Sequence, residues 1–249
     1  MPQTPSTRLG PYEIRPVVRV CRTREIVCRM KPFTAAGTCF VMLTLCGSIT
    51  AQVPVHFEPR HLVVFQDETL RVLDVNIEAS DTTLDHIHIN DIAIVCIAGC
   101  ELRTKPLGGD WGDWISRTPG QVSVNVNVGQ HSTHKHQAGG HQYHVVSVEN
   151  LRQSGWSQDS PASGASVKLV SETRAFEIYD VRLDVGKAEA GHVHAHSVVA
   201  ILVAGEVVFS GSGRRAAKAL MWAVISAGNA DRLENRGSAE AYIVELEVR

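Results

Sequence analysis

One stretch of this chain occurs twice. Residues 72–102 lie over residues 178–208 at a constant offset of 106 with no gap. Identities include Asp74 with Asp180, Val75 with Val181, His86 with His192, His88 with His194, Ala98 with Ala204 and Gly99 with Gly205; elsewhere the match is mostly apolar against apolar. Solenoid units run about 20 to 50 residues, so a repeat at this spacing reads instead as two similar domains in tandem. The 249 residues have room for two, because ordinary domains take about 100 to 200. Between the copies, residues 154–166 are rich in Ser, Gly, Gln and Pro and read as a linker.

Within each copy, short runs rich in Val and Ile are punctuated by Gly, Pro, Asn and Asp. Val122, Val124, Val126 and Val128 occupy every second position, the spacing that puts side chains on one face of a strand. Further strands are expected over 92–97, 143–148, 198–203 and 241–247, while 216–223 reads equally as helix or strand. With 44% apolar and 20% charged residues, the chain has the make-up of a globular protein with a core. Many short strands in two repeats predict an all-β protein of sandwiches or barrels.

The chemistry is concentrated in histidine. There are twelve, and none precedes His56. In both copies an H-x-H pair, His86 with His88 and His192 with His194, stands just before an apolar run that ends at a glycine. Residues i and i+2 of a strand face the same side with side chains about 6 to 7 Å apart, so two imidazoles can converge on one ion. A lone pair of this kind is often solvated or satisfied in a core. The same pair ahead of an equivalent glycine in both copies points to a metal.

Each half resembles a cupin domain, a small jelly-roll barrel with motifs G-x5-H-x-H-x3,4-E-x6-G and G-x5-P-x-G-x2-H-x3-N. The second half fits the first motif as Gly186-x5-His192-x-His194 followed by Gly205, and the second as Ser226-x-Gly228-x2-Asp231-x3-Asn235. The first half supplies His86, His88 and Gly99, with a looser second motif around Val128-Gly129-Gln130-His131-Ser132-Thr133-His134. The resemblance covers about residues 56–151 and 170–249. It implies two tandem cupin domains, placed at 52–153 and 167–249.

The departures from the motif matter as well. The family's ligating glutamate is replaced by Ile92 and Val198, and Asp91, one residue earlier than Ile92, would point to the opposite strand face. For the first half the resemblance therefore implies a three-histidine metal site of His86, His88 and His134, with His136 and His131 as reserve ligands. Similar sites in cupin-type thiol dioxygenases hold iron(II). For the second half it implies His192, His194 and Asp231, with His196 in reserve. Two histidines and a carboxylate are a set associated with non-haem iron(II) oxygenases. Asp231 reads equally as a turn residue after Gly228. His144 is expected to line the barrel mouth, His141 to sit in a turn, and Trp111 and Trp114 to pack on their own domain or cover a pocket.

Charge divides the chain unevenly. Residues 1–51 hold seven basic and two acidic groups, and the other 198 hold seventeen basic and 24 acidic ones. From Met30 the front segment has a short basic start, an apolar run over 33–46 and small or polar residues up to Ala51. That is the layout of a secretory signal peptide behind a basic N-terminal extension, and the run is shorter than the roughly 20 residues of a membrane span. An uncleaved anchoring segment is the alternative. A periplasmic or secreted protein is expected, starting near Gln52. The acidic remainder speaks against nucleic acid or anionic membranes as partners. Of six cysteines only Cys96 and Cys100 lie beyond that segment. They read as small buried apolar side chains, because a disulfide between them would need the chain to fold back at Gly99.

Two functional classes follow. In one, the chain is an exported metal-binding bicupin that holds a divalent ion, Fe(II), Mn(II), Zn(II) or Ni(II), at the first-half histidines. It would act as an oxygenase on a small organic substrate, or as a cupin-type isomerase. In the other, it is a non-catalytic protein that binds a small polar ligand such as a sugar. A homodimer is compatible with both. No Gly-x-Ser-x-Gly elbow, phosphate loop or HExxH helix gives a hydrolase or nucleotide reading a motif to stand on.

Overall fold

The computed structural model describes residues 52–98, 100–152, 167–189, 191–210 and 222–249. The expected signal peptide, the linker 154–166 and residues 216–221 of the ambiguous run lie outside them.

The alternating and apolar runs are strands. In the first half these are β1 (Val53–Pro54), β2 (His61–Gln66), β3 (Leu70–Ile77), β4 (His86–His88), β5 (Asp91–Ala98), β6 (Cys100–Pro106), β7 (Ile115–Arg117), β8 (Val122–Asn125), β9 (Ser132–Ala138) and β10 (Tyr143–Asn150). They form two five-stranded sheets in the orders β1-β4-β9-β6-β7 and β2-β3-β10-β5-β8. The second half has β11 (Val167–Glu172), β12 (Phe176–Leu183), β13 (His192–Val193), β14 (Ser197–Ala204), β15 (Val207–Ser210), β16 (Trp222–Ile225), β17 (Ala230–Asn235) and β18 (Ala241–Val248). Its sheets run β11-β12-β18-β14-β16 and β13-β17-β15. The protein is all-β, two jelly-roll barrels in tandem.

The repeat in sequence is a repeat in register. Val75 of β3 pairs with Val145 of β10, and Val181 of β12 pairs with Ile243 of β18. Alternation then sorts the side chains. Leu73, Val75, Ile77, Tyr143 and Val145 turn into the first barrel, and Val181, Leu183, Val198, Ala200 and Ile243 into the second. The opposite faces are apolar too. Leu70, Val72, Val146 and Val148 of the first barrel form one further core with Phe176, Ile178, Leu246 and Val248 of the second. Sheets buried on both faces read as near-continuous apolar runs, as these strands do.

Two features differ from expectation. The valine alternation from Val122 stops pairing at Asn125, and Val126 is exposed. The reason is Asp91, whose carboxylate accepts from the backbone N–H groups of Asn127 (2.7 Å) and Val128 (2.9 Å) and pulls the chain off the sheet edge. His144 does not line a barrel mouth: its Nε2 lies 2.8 Å from Asp74 Oδ1 on the face turned away from the first barrel's interior. Cys96 and Cys100 are buried and free, and both thiols donate to the Ala98 carbonyl. Burial pushes the Cys96 thiol up to about 12, so it is a packing side chain at neutral pH.

Candidate metal centres

The first histidine group is made by register. Strand β4 pairs antiparallel with β9, setting His86 opposite His134 and His88 opposite Ser132. His136, two residues along β9, shares a face with His134, and β2 brings in His61. The ring centroids lie 4.9 Å apart for His86 and His134, 4.5 Å for His134 and His136, and 4.9 Å for His88 and His134. His61 stands 4.8 Å from His86. In His86, His134 and His136, one ligating nitrogen each lies within 4.8 Å of the others. His88 is beside this trio with its ring 5.0 Å from that of His86.

The surroundings prepare these rings as ligands. His86 Nδ1 donates to the Leu84 carbonyl at 2.9 Å, so its Nε2 carries the lone pair. A fixed outer hydrogen bond of this kind sets tautomer and ring orientation in metal sites. His136 Nδ1 is 3.0 Å from Thr104 Oγ1. The Nε2 atoms of His86 and His134 and both nitrogens of His88 are buried with no hydrogen bond among the described residues. Each such atom costs about 1 to 3 kcal/mol, a burden a bound ion would lift. Burial, reinforced by the neighbouring histidines, lowers His86 to about 3, His88 to about 2 and His134 to about 4, and holds His136 well below its ordinary value. All four are neutral imidazoles at pH 7, the form that binds a metal.

Space agrees with this chemistry. A narrow space of about 20 Å³ sits among His61, His88, His134 and His136, enough for one water or ion. A larger cavity of about 470 Å³ reaches His134 and His136 from outside, walled in part by Ile94, Leu102 and Val124.

The second group is built differently. His192, His194 and Glu245 offer ligand atoms within 4.8 Å of one another and are all buried. His192 Nε2 is 3.1 Å from Glu245 Oε2, and its Nδ1 is 3.1 Å from Glu189 Oε1. His194 Nε2 is 3.5 Å from Glu245 Oε2, and its Nδ1 is 2.8 Å from Glu247 Oε2. Burial opposes charge on His194, but hydrogen bonds to Glu245 and Glu247 outweigh it and raise the group to about 9. Burial likewise opposes the Glu245 charge and is outweighed by hydrogen bonds from His192 and His194, which hold it at about 2.

One position contributes to the contrast. Glu245 pairs across the sheet with Tyr179, and Ser147 pairs with Leu73, the residue that the 106-residue offset equates with Tyr179. Ser147 thus occupies in the first barrel the place of Glu245 in the second. Ile92 and Val198, where the family has its glutamate, are buried apolar side chains, and the carboxylate of the second group comes from the last strand instead.

The remaining expected ligands fall as follows. The backbone of Asp231 pairs with His192, as that of His134 pairs with His86, but the Asp231 side chain lies outside the described residues. His131 is exposed ahead of β9 and makes no ring contact with the group among the described residues. The backbone N–H of His196 donates to Glu247 Oε1 at 2.8 Å. Asp91 holds Arg174 at 3.0 Å. Arg103 lies 4.8 Å over the rings of both Trp111 and Trp114, so both pack on their own barrel. Sequence reasoning did not single out His61, Glu189, Glu245 or Glu247. The last two sit 53 residues from their histidine partners, with no local spacing to reveal them.

No protein-family model matches the sequence, and no curated protein matches it. Solved structures do. AerE from Microcystis aeruginosa has 11% identity and a TM-score of 0.55, over 78% of this chain and 99% of its own. A salicylate 1,2-dioxygenase variant from Pseudoaminobacter salicylatoxidans has 10% identity and a TM-score of 0.54, over 72% and 71%. Oxalate decarboxylase from Bacillus subtilis, in a structure concerned with its Mn(II) centres, has 11% identity and a TM-score of 0.52, over 73% and 69%. At these identities the likeness is one of fold.

Proposed function

The chain has the cupin fold in two tandem barrels, and on that premise we propose that it is an exported metal-binding bicupin whose first barrel holds a divalent ion and acts as an oxygenase on a small organic substrate. The carrying observation is the set of buried, unpartnered nitrogens on His86, His88 and His134 in a group of neutral imidazoles. His86 and His134 hold the ion through Nε2, and the third ligand comes from His88, as the motif implies, or from His136, which completes the tightest group. Fe(II), Mn(II), Zn(II) and Ni(II) all suit nitrogen donors. When bound, such an ion supplies a Lewis acid and, if redox-active, a centre for oxygen chemistry. The protein's own part is to keep the imidazoles deprotonated, fix the His86 ring through Leu84 and admit substrate through the cavity that reaches His134 and His136. The similar salicylate 1,2-dioxygenase and the Mn(II) centres of oxalate decarboxylase support this reading. The second barrel is a weaker ion site, because the nitrogens of His192 and His194 already face carboxylates.

Elemental analysis of protein reconstituted with each of the four metals tests the proposal. About one ion per chain is expected, abolished by His86→Ala and largely retained in His192→Ala. Oxygen uptake over a panel of small acids, diketones and thiols then separates an oxygenase from an isomerase. Absence of any bound metal would leave a metal-free barrel that holds a sugar or another small ligand. Export is tested separately: the N-terminus of protein recovered outside the cytoplasm should begin near Gln52.

A further inference from the structure

The cavity that reaches the first histidine group has an unbalanced charge. Arg117 is the one charged side chain on its wall, and no acidic residue lines it. His134 and His136 close its inner end. Arg117 is half-buried, and its Nη1 donates to the Tyr143 hydroxyl at 3.4 Å. Among the described residues no carboxylate pairs with it. A guanidinium left without an anion in a partly enclosed cavity lacks the partner it binds best, a planar carboxylate.

The second barrel shows what is missing. There Glu245 places a negative charge beside the histidines, and in the first barrel Ser147 takes its position. An ion held by imidazoles alone keeps its full double positive charge, so both the inner end and the wall of this cavity favour an anion. Ile94, Leu102, Ile115 and Val124 give the rest of the wall a hydrocarbon character. About 470 Å³ falls within the range of small-molecule sites.

We propose that the first-barrel cavity binds a small organic carboxylate, and that Arg117 is the positioning residue that selects its charge. The inference names the substrate class for the function proposed above and rests on that reading for the inner end of the cavity; the Arg117 wall stands without it.

Calorimetric titration with benzoate and with its neutral counterpart benzamide, on zinc-loaded and on metal-stripped protein, tests this. Benzoate should bind about tenfold more tightly than benzamide, with some preference kept after stripping. Arg117→Met, which retains an apolar stem, should erase the preference in stripped protein without changing the zinc content, and Arg117→Lys should keep part of it. Equal binding of the two compounds, binding of neither, or a preference that survives Arg117→Met in stripped protein would overturn the proposal. So would inorganic phosphate binding as tightly as benzoate. Should Arg117→Met fail to fold, the comparison on unaltered protein still decides. Zinc content is read independently, so a protein that takes no zinc yet prefers benzoate refutes the metal reading and leaves the carboxylate site standing.

Discussion

His88 has both ring nitrogens buried without a hydrogen bond, whereas His194 has each of its nitrogens facing a carboxylate. The second histidine of the same H-x-H pair is therefore driven in opposite directions, down to about 2 at His88 and up to about 9 at His194. Glu58 shows the same rule from the acid side. It is buried, with His61 Nδ1 at 2.6 Å, Arg60 Nη1 at 3.2 Å and the backbone N–H groups of Arg60 and Leu84 directed at it. Burial alone would raise its pKa; the hydrogen bond and charge of His61 and the backbone donors prevail and bring it from 4.5 to about 2. A carboxylate depressed on folding adds stability that is fully present above its unfolded value and is lost as pH falls toward the folded one. The contribution should therefore disappear between pH 4.5 and about 2, and it is on the order of 3 kcal/mol at most. Thermal unfolding across that window should show a steeper fall for the unaltered protein than for Glu58→Gln; parallel curves would count against this role. At this scale the histidine pairs were legible, because strand periodicity alone puts i and i+2 together. Glu245, His61 and Arg117 were not, because only folding brings them to the histidines or to their cavity.

Between strands, register does the chemical work. His86 meets His134 only because β4 and β9 pair with those residues opposed, and a slip of one position would turn every side chain of a strand to the other face. The turn glycine of the repeat is one device that holds such a register. Gly205 joins β14 to β15 at φ +85°, and a Cβ there would lie 2.6 Å from the Ala241 Cα and 2.8 Å from the Glu240 carbonyl oxygen. Both contacts are backbone, so neither can swing away. Gly205→Ala should destabilise the protein by more than about 1 kcal/mol, the usual cost of forcing an L side chain into this region. Chemical denaturation measures it, and an unchanged midpoint would show that β18 can shift to make room. The strands over 92–97, 143–148, 198–203 and 241–247 were each legible to within a few residues of their ends. The early end of β8 was not, because an aspartate 36 residues away captures the N–H of Asn127.

The two barrels share a core that neither could bury alone. Val146 and Val148 on one sheet and Leu246 and Val248 on the other are fully buried in one continuous cluster, so the apolar outer face of each sheet is shielded by its neighbour. Polar links run across the same boundary: Asn150 Nδ2 donates to the Arg249 carbonyl at 2.8 Å, and Arg174 reaches Asp91 at 3.0 Å. An exposed apolar sheet face of this size would mark an interaction site on a lone barrel, which couples the folding of one half to the other. Removing a side chain from this shared core should therefore be felt on both sides. Leu246→Ala deletes a fully buried side chain and should cost about 2 to 5 kcal/mol. Leu233→Ala removes one of similar burial from the interior of the second barrel alone. Hydrogen exchange separates the two. Leu246→Ala should lower the protection of amides in β10 of the first barrel as well as in β18, while Leu233→Ala should reach β10 only through global unfolding. If Leu246→Ala leaves β10 protection untouched, the barrels are independent units in contact, and the histidine site of the first would not need the second to stay folded.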